Sequence, residues 1–241
     1  MPGAVEVVEE EAVGNLVNDK CCTKIQFDQT MDLKWNKNLA YAVGLFVSDG
    51  YLSIDGRHLD FTSKDIEQIE NFKQCLSITT PISLKSNGHN NRDYFRIQFS
   101  NVALYKFFNK IGITNNKSLT ISQVEINVRF FADFLRGLLD GDGSISLSKH
   151  PESKFLQVKI RFASGSKNFL VWLMKNIKNE TTVTGGFLVS VSRCWQLVYG
   201  KNDSQKLIRY MYSKDNIICL SRKKATAMSV LRLQEEQNKV K

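Results

Sequence analysis

Two aspartates close two stretches that otherwise read as buried helix. Asp49 ends "AVGLFVSDG" (42–50), and Asp140 and Asp142 end "LRGLLDGDG" (135–143). The C-terminal end of a helix is its negative pole, so each carboxylate there is disfavoured by about 0.3–1 kcal/mol. No Lys or Arg follows Asp142 before Lys149. Asp-Gly is a common helix exit, because Gly takes the left-handed conformation and Asp accepts turn geometry. That bland reading would account for either stretch alone. A calcium loop fails: counted from Asp140, Ile145 and Pro151 stand where an EF-hand needs Gly and Glu. Two carboxylates brought together offer different chemistry. They repel unless a cation lies between them or one stays protonated, and Mg²⁺ above all prefers such oxygens and shares them with phosphates.

The two stretches belong to a longer repeat. At a shift of 93 residues, Gly44 falls on Gly137, Asp49 on Asp142 and Gly50 on Gly143, while Val47 faces Asp140. Only the final acid is shared. "HLDFTSKDIEQIENFKQCL" (58–76) and "KIRFASGSKNFLVWLMKNI" (159–177) align at a shift of 101, pairing Phe61 with Phe162 and Phe72 with Leu173. "YFRIQF" then meets "CWQLVY" at 100, so the second copy carries eight extra residues in its first hairpin. A repeat this long is a duplicated domain rather than a solenoid module. Gly44 and Ser48, like Gly137 and Gly141, are small residues four apart, a spacing that lets two helices approach closely. If the two helices pack on each other about a pseudo-twofold axis, Asp49 and Asp142 emerge side by side.

The pattern predicts an α+β protein. Residues 1–34 form an acidic arm, 35–111 the first unit, 112–128 a linker and 129–241 the second unit with a basic C-terminal helix. In unit one the spacing predicts helices at 38–49, 65–76 and 101–111, with strands at 50–54, 57–63, 81–86 and 93–100. In unit two it predicts helices at 129–142, 166–178, 203–212 and 222–236. The strands there fall at 143–149, 154–164, 182–190 and 194–200.

Charge points to the partner. The chain carries +9, and residues 1–19 hold five acids and no base, so the remainder carries +14. A body this basic suits a polyanion, nucleic acid before an anionic membrane surface. The strands agree: Gln157, Lys159 and Arg161 alternate with Val158, Ile160 and Phe162, as Arg96 and Gln98 alternate with Ile97 and Phe99. Any half-buried sheet has a polar face. Arg, Lys and Gln, however, are the types that read guanine and adenine in the major groove, which admits a two-stranded ribbon. Gln196 in "CWQLVY" completes this candidate DNA-contacting set. Five scattered cysteines without metal spacing argue for a reduced, intracellular, cytoplasmic setting without structural zinc. No apolar run reaches membrane-spanning length. His58, His89 and His150 read as isolated surface residues.

Together the two motif copies, the repeat and the basic body resemble the LAGLIDADG homing endonucleases in their single-chain, two-motif form, over about residues 35–236. The resemblance implies two pseudo-symmetric αββαββα units, with the motif helices packed at the dyad and two antiparallel sheets forming a saddle on double-stranded DNA. It implies a monomer that cuts both strands of a long, non-palindromic site with two or more Mg²⁺ ions shared with the phosphates. Asp49 and Asp142 match the family's metal-binding acids, and the carbonyls of Ser48 and Gly141 the ligands beside them. Asp140 then has a structural part. Lys117 in "NNKSL" and Lys223 in "LSRKKA" match basic residues near the scissile phosphates, with Arg222 a neighbouring candidate for DNA contact. Two rivals remain: a D…ExK nuclease built on Asp142, Glu152 and Lys154, and a non-cutting relative acting as an intron-splicing maturase or DNA-binding regulator.

Overall fold

The structure, a computed structural model, describes residues 33–86, 93–149, 156–192 and 194–239. Residues 1–32 of the acidic arm, with Cys21 and Cys22, lie outside these, as do His89, His150, Glu152 and Lys154. Helix α1 (Lys37–Asp49) leads into strands β1 (Gly50–Leu52) and β2 (His58–Ser63). Helix α2 (Ile66–Leu76), strands β3 (Ser83–Ser86) and β4 (Asp93–Ser100), and helix α3 (Val102–Lys110) follow. A one-turn helix α4 (Lys117–Thr120) and a 3-10 turn (Val128–Phe130) lie in the linker. The order then recurs as α5 (Phe131–Asp140), β5 (Gly143–Lys149), β6 (Leu156–Ser164), α6 (Lys167–Glu180), β7 (Phe187–Val191), β8 (Cys194–Tyr199) and α7 (Lys201–Tyr212). Helix α8 (Ser221–Lys239) closes the described chain.

Helix starts follow local chemistry. Asn36, Asp65, Asn101 and Ser166 each accept a hydrogen bond from a backbone N–H two or three residues on, satisfying donors the first turn leaves free. Both sheets are antiparallel, in the orders β1-β2-β4-β3 and β5-β6-β8-β7. Their registers follow the repeat: Gly50 pairs with Phe61 and Gly143 with Phe162, then Phe61 with Ile97 and Phe162 with Leu197. Inner faces are apolar and buried, with Phe46 stacked on Phe108 and Phe61 on Phe72 at 4.3 Å in each case. Helices α1 and α5 pack on each other and each on the strands of its own half, so one continuous core runs through both halves.

Three expectations shift. The helix expected at 129–142 ends at Asp140, because Gly141 turns to ψ −100° and carries Asp142 beyond the helix. The strand expected from 182 begins at Phe187, after Gly186 passes through φ +101° against the Tyr199 ring, a conformation L residues rarely adopt. The linker holds the helical turn that carries Lys117. The extra residues of the second hairpin lengthen its strands, β5 and β6 having seven and nine residues against three and six in β1 and β2. Helix α8 packs against β5. Among the described residues no helix is long and apolar enough to cross a membrane.

Candidate active centre at the paired helix ends

Helices α1 and α5 cross backbone to backbone. A Cβ added to Gly44 would lie 2.3 Å from the Phe134 carbonyl oxygen, and one on Gly137 would lie 2.2 Å from that of Tyr41. No other residue type fits there without moving a helix. One turn later a Cβ on Gly141 would meet Ser48 at 2.4 Å and Asp49 Oδ2 at 3.2 Å. The Asp49 carboxylate therefore lies against the end of α5, beside Asp142. Burial pushes its carboxyl up to about 6, with the negative charge of Asp142 adding to the effect. Asp142 opens to solvent at its surface, yet the protein crowded around it raises its carboxyl too.

The cations that the helix ends lack come from distant segments. Lys117, 4 % exposed, donates to the carbonyls of Val47 at 2.6 Å and Ser48 at 3.2 Å. Lys223, 7 % exposed, donates to those of Asp140 and Gly143 at 2.8 Å and of Leu139, and reaches Gly141 at 3.4 Å. Most of these oxygens are the acceptors that a helix leaves free in its last turn, so each ammonium neutralises a negative pole. Burial draws both lysines down to about 8, while Asp49 and Asp142, and for Lys223 also Asp140, favour their charged form. The acids are tolerated because each helix end has a buried cation of its own.

Each lysine is pinned by the opposite half. Ser166, the N-cap of α6, donates to the Ile121 carbonyl just beyond α4, and Gly165 admits the Ser118 carbonyl where a Cβ would stand 2.5 Å from it. At the start of α8, the Ser221 N–H donates to Glu67 at 2.9 Å and Arg222 Nε to Asp65 at 3.0 Å. Asn71 donates to the Cys219 carbonyl at 3.1 Å. Arg222 thus sits at the α2–α8 junction.

Sequence reasoning missed two pairs, Gln68 with Ser63 and Asp133 with Arg136. Gln68 Nε2 donates to Asp49 Oδ2 at 2.7 Å, and Ser63 Oγ in turn donates to Gln68 Oε1 at 3.0 Å. A signal existed, since Gln68 stands one turn before Phe72 on the buried stripe of α2. Its counterpart in the repeat, Phe169, is apolar and buried, and among the described residues no donor reaches the Asp142 carboxylate. Asp140 is fully buried and accepts from Tyr41 Oη and from the Leu220 N–H, both at 2.8 Å. Beside it, a buried ion pair joins Asp133 to Arg136 at 2.7 Å. Arg136 also donates to the Met211 and Ile218 carbonyls, holding the chain that leads into α8.

The sheet residues Arg96, Gln98, Gln157, Lys159, Arg161 and Gln196 all lie on the faces turned away from the core. Arg96 is bound within the sheet by Asp60, whereas among the described residues Arg161 meets only the neutral Ser146 hydroxyl, at 2.9 Å. His58 is not isolated: it pairs with Asp55. No cluster of three or more His, Cys, Asp or Glu side chains occurs among the described residues. Any metal here would complete its shell with backbone carbonyls, water and substrate.

A LAGLIDADG-like domain model matches residues 130–175, from the 3-10 turn before α5 into α6. No curated protein matches the sequence. Among solved structures, the homing endonuclease I-WcaI bound to its DNA recognition sequence superposes with a TM-score of 0.58 at 13% identity, over 80% of this chain and 86% of that one. The I-LtrWI LAGLIDADG homing endonuclease bound to target DNA gives 0.54 at 14%, over 83% and 91%. Full-length DUF199/WhiA from Thermatoga maritima gives 0.56 at 13%, over 86% of this chain. This chain spans 63% of the length of that protein. At these identities the likeness is one of fold, and the fold is that of the LAGLIDADG homing endonucleases.

Proposed function

We propose that the chain is a site-specific DNA endonuclease, a single-chain homing endonuclease with both motif copies, which makes a Mg²⁺-dependent double-strand break as a monomer with internal pseudo-twofold symmetry. The observation that carries the reading is the meeting of Asp49 and Asp142 at two crossed helix ends, each end backed by a buried lysine. Their carboxyls are raised by burial, and Asp49 also by its like-charged neighbour, which is the environment a hard divalent ion relieves. Asp49 and Asp142, with the Ser48 and Gly141 carbonyls, would hold such ions. When bound, Mg²⁺ activates water and offsets charge on the phosphate under attack.

The chain's own groups do the rest. Gln68 fixes the rotamer of Asp49. Lys117 and Lys223 set the positions of the two helix ends and place positive charge beside the scissile phosphates, where charge develops. The outer sheet faces bind the duplex. Arg96, Gln98, Gln157, Lys159, Arg161 and Gln196 are the candidates for base and phosphate contact, and Arg222 for phosphate contact at the α2–α8 junction. The +14 charge of residues 20–241 supports association with a polyanion.

A second reading is a non-cutting DNA-binding relative, a regulator or maturase, favoured by the presence of this fold in DUF199/WhiA as well as in the endonucleases. Incubation with a randomised duplex library, followed by sequencing of broken ends, separates the two. The endonuclease reading expects one long, asymmetric consensus with breaks in both strands at a fixed position, seen with Mg²⁺ and lost with EDTA. Recovery of a bound consensus without breaks would favour the non-cutting reading.

A further inference from the structure

The outer face of the second sheet is not polar throughout. Phe187, Val189 and Val191 on the edge strand β7 are 55, 37 and 39 % exposed and point to the same side as the Arg161 row. The register makes this concrete: Ser144, Arg161, Val198 and Phe187 form one cross-strand row, while Ala163, Gln196 and Val189 form the next. Side chains directly opposite on an antiparallel sheet share a face. Apolar groups therefore line the edge strand, and the hydrogen-bonding Arg161 and Gln196 stand on the strands beside it, so both kinds share one continuous face. The matching edge strand of the first sheet differs. There Ser83 and Lys85 share the face of Arg96.

We propose that β7 reads the C5-methyl groups of thymine in the major groove of the half-site bound by the second sheet. This rests on the DNA-binding part of the function proposed above. The thymine methyl is the one apolar feature that a base pair offers in that groove, and apolar side chains are its natural partners. Arg161 beside Val198 and Gln196 opposite Val189 supply hydrogen bonds to neighbouring base edges. Pairing of β7 with a second copy, the other use of an exposed edge strand, is opposed by the basic charge of residues 20–241 and by Lys159 and Arg161 on the same face. A specificity split follows: the second sheet selects A·T pairs by methyl contact where the first uses a hydroxyl and an ammonium.

The test is a binding selection from randomised duplex DNA in EDTA, followed by replacement of each selected thymine with deoxyuridine, which removes only the methyl. Loss of about fourfold in affinity per contacted methyl is expected at one to three positions of a single half-site. In the exposed-site variant Phe187→Ser/Val189→Ser, whose fold is checked by thermal unfolding, thymine and deoxyuridine should bind equally at those positions. Sequence-specific binding indifferent to deoxyuridine everywhere would overturn the methyl reading and leave DNA binding standing. Concentration-dependent dimers abolished by the same variant would overturn it in favour of edge pairing. Failure to select any sequence would sink the DNA reading and this one with it.

Discussion

The ends of α1 and α5 solve one problem with polar groups placed differently. At the first end Val47 is apolar and the polar support comes from outside the helix, where Gln68 of α2 grips Asp49. At the second, the position of Gln68 is taken by Phe169, and the polar group has moved into the helix itself as Asp140, which grips Tyr41 and Leu220. One support orients the outermost acid; the other ties the two helices and the start of α8 together. What stays common is the lysine on the last carbonyls and the glycine at the crossing. The comparison teaches which features serve the charge problem and which are free to diverge.

The shared feature should be the most costly to lose. Gly44→Ala or Gly137→Ala drives a methyl into the backbone of the facing helix, and a loss of about 3 kcal/mol or more is expected by chemical denaturation. Gly200→Ser, whose Cβ would meet nothing within 4 Å and which sits at the N-cap of α7, should be neutral within about 0.5 kcal/mol. Equal stability of Gly137→Ala and the native chain would mean that the helices do not cross at these glycines.

Making the second end like the first comes next. Asp140→Val leaves the Tyr41 hydroxyl and the Leu220 N–H buried without their acceptor, a loss of roughly 2–4 kcal/mol. Adding Tyr41→Phe should recover about 1 kcal/mol of it. A double variant less stable than the single one would show that Asp140 does not act through Tyr41.

The converse exchange is gentler. Gln68→Leu should change stability by no more than about 1 kcal/mol, the usual scale of one hydrogen bond. It should slow cutting of one strand by roughly tenfold while the other strand keeps its rate, because only Asp49 loses its support. Strand-resolved nicking assays would reveal it. Equal slowing of both strands would contradict the asymmetry of the two ends.

Much of this was legible in the sequence, for a physical reason. Helix and strand periods are local, and a duplicated unit states each twice; the alignment of the halves equated Gly50 with Gly143 and Phe61 with Phe162, and the register of each sheet repeats that equivalence. Asp49 and Asp142 stood out because acids at a negative pole are locally unfavourable. What answers that cost is not local. Lys117 and Lys223 are separated from the carbonyls they meet by 70 and about 80 residues, and no spacing rule connects them. Gln68 was visible only as a polar residue on an apolar stripe, a pattern that names no partner. The buried Asp133–Arg136 pair was hidden in a helix that reads as apolar nearly all round. Gly141 ended α5 early, and the neighbour that leaves no room there for a Cβ, Ser48, belongs to the other unit.

The central claim is that the two acids bind metal for catalysis rather than stabilise the fold or bind DNA. Asp49→Asn and Asp142→Asn keep shape and one acceptor oxygen while removing one negative charge each. Measured on the selected target, each should abolish double-strand cleavage, with DNA affinity within about threefold of the native chain or slightly higher, since affinity comes chiefly from phosphate neutralisation. Full double-strand cutting by either variant, or affinity falling in step with rate, would contradict the account.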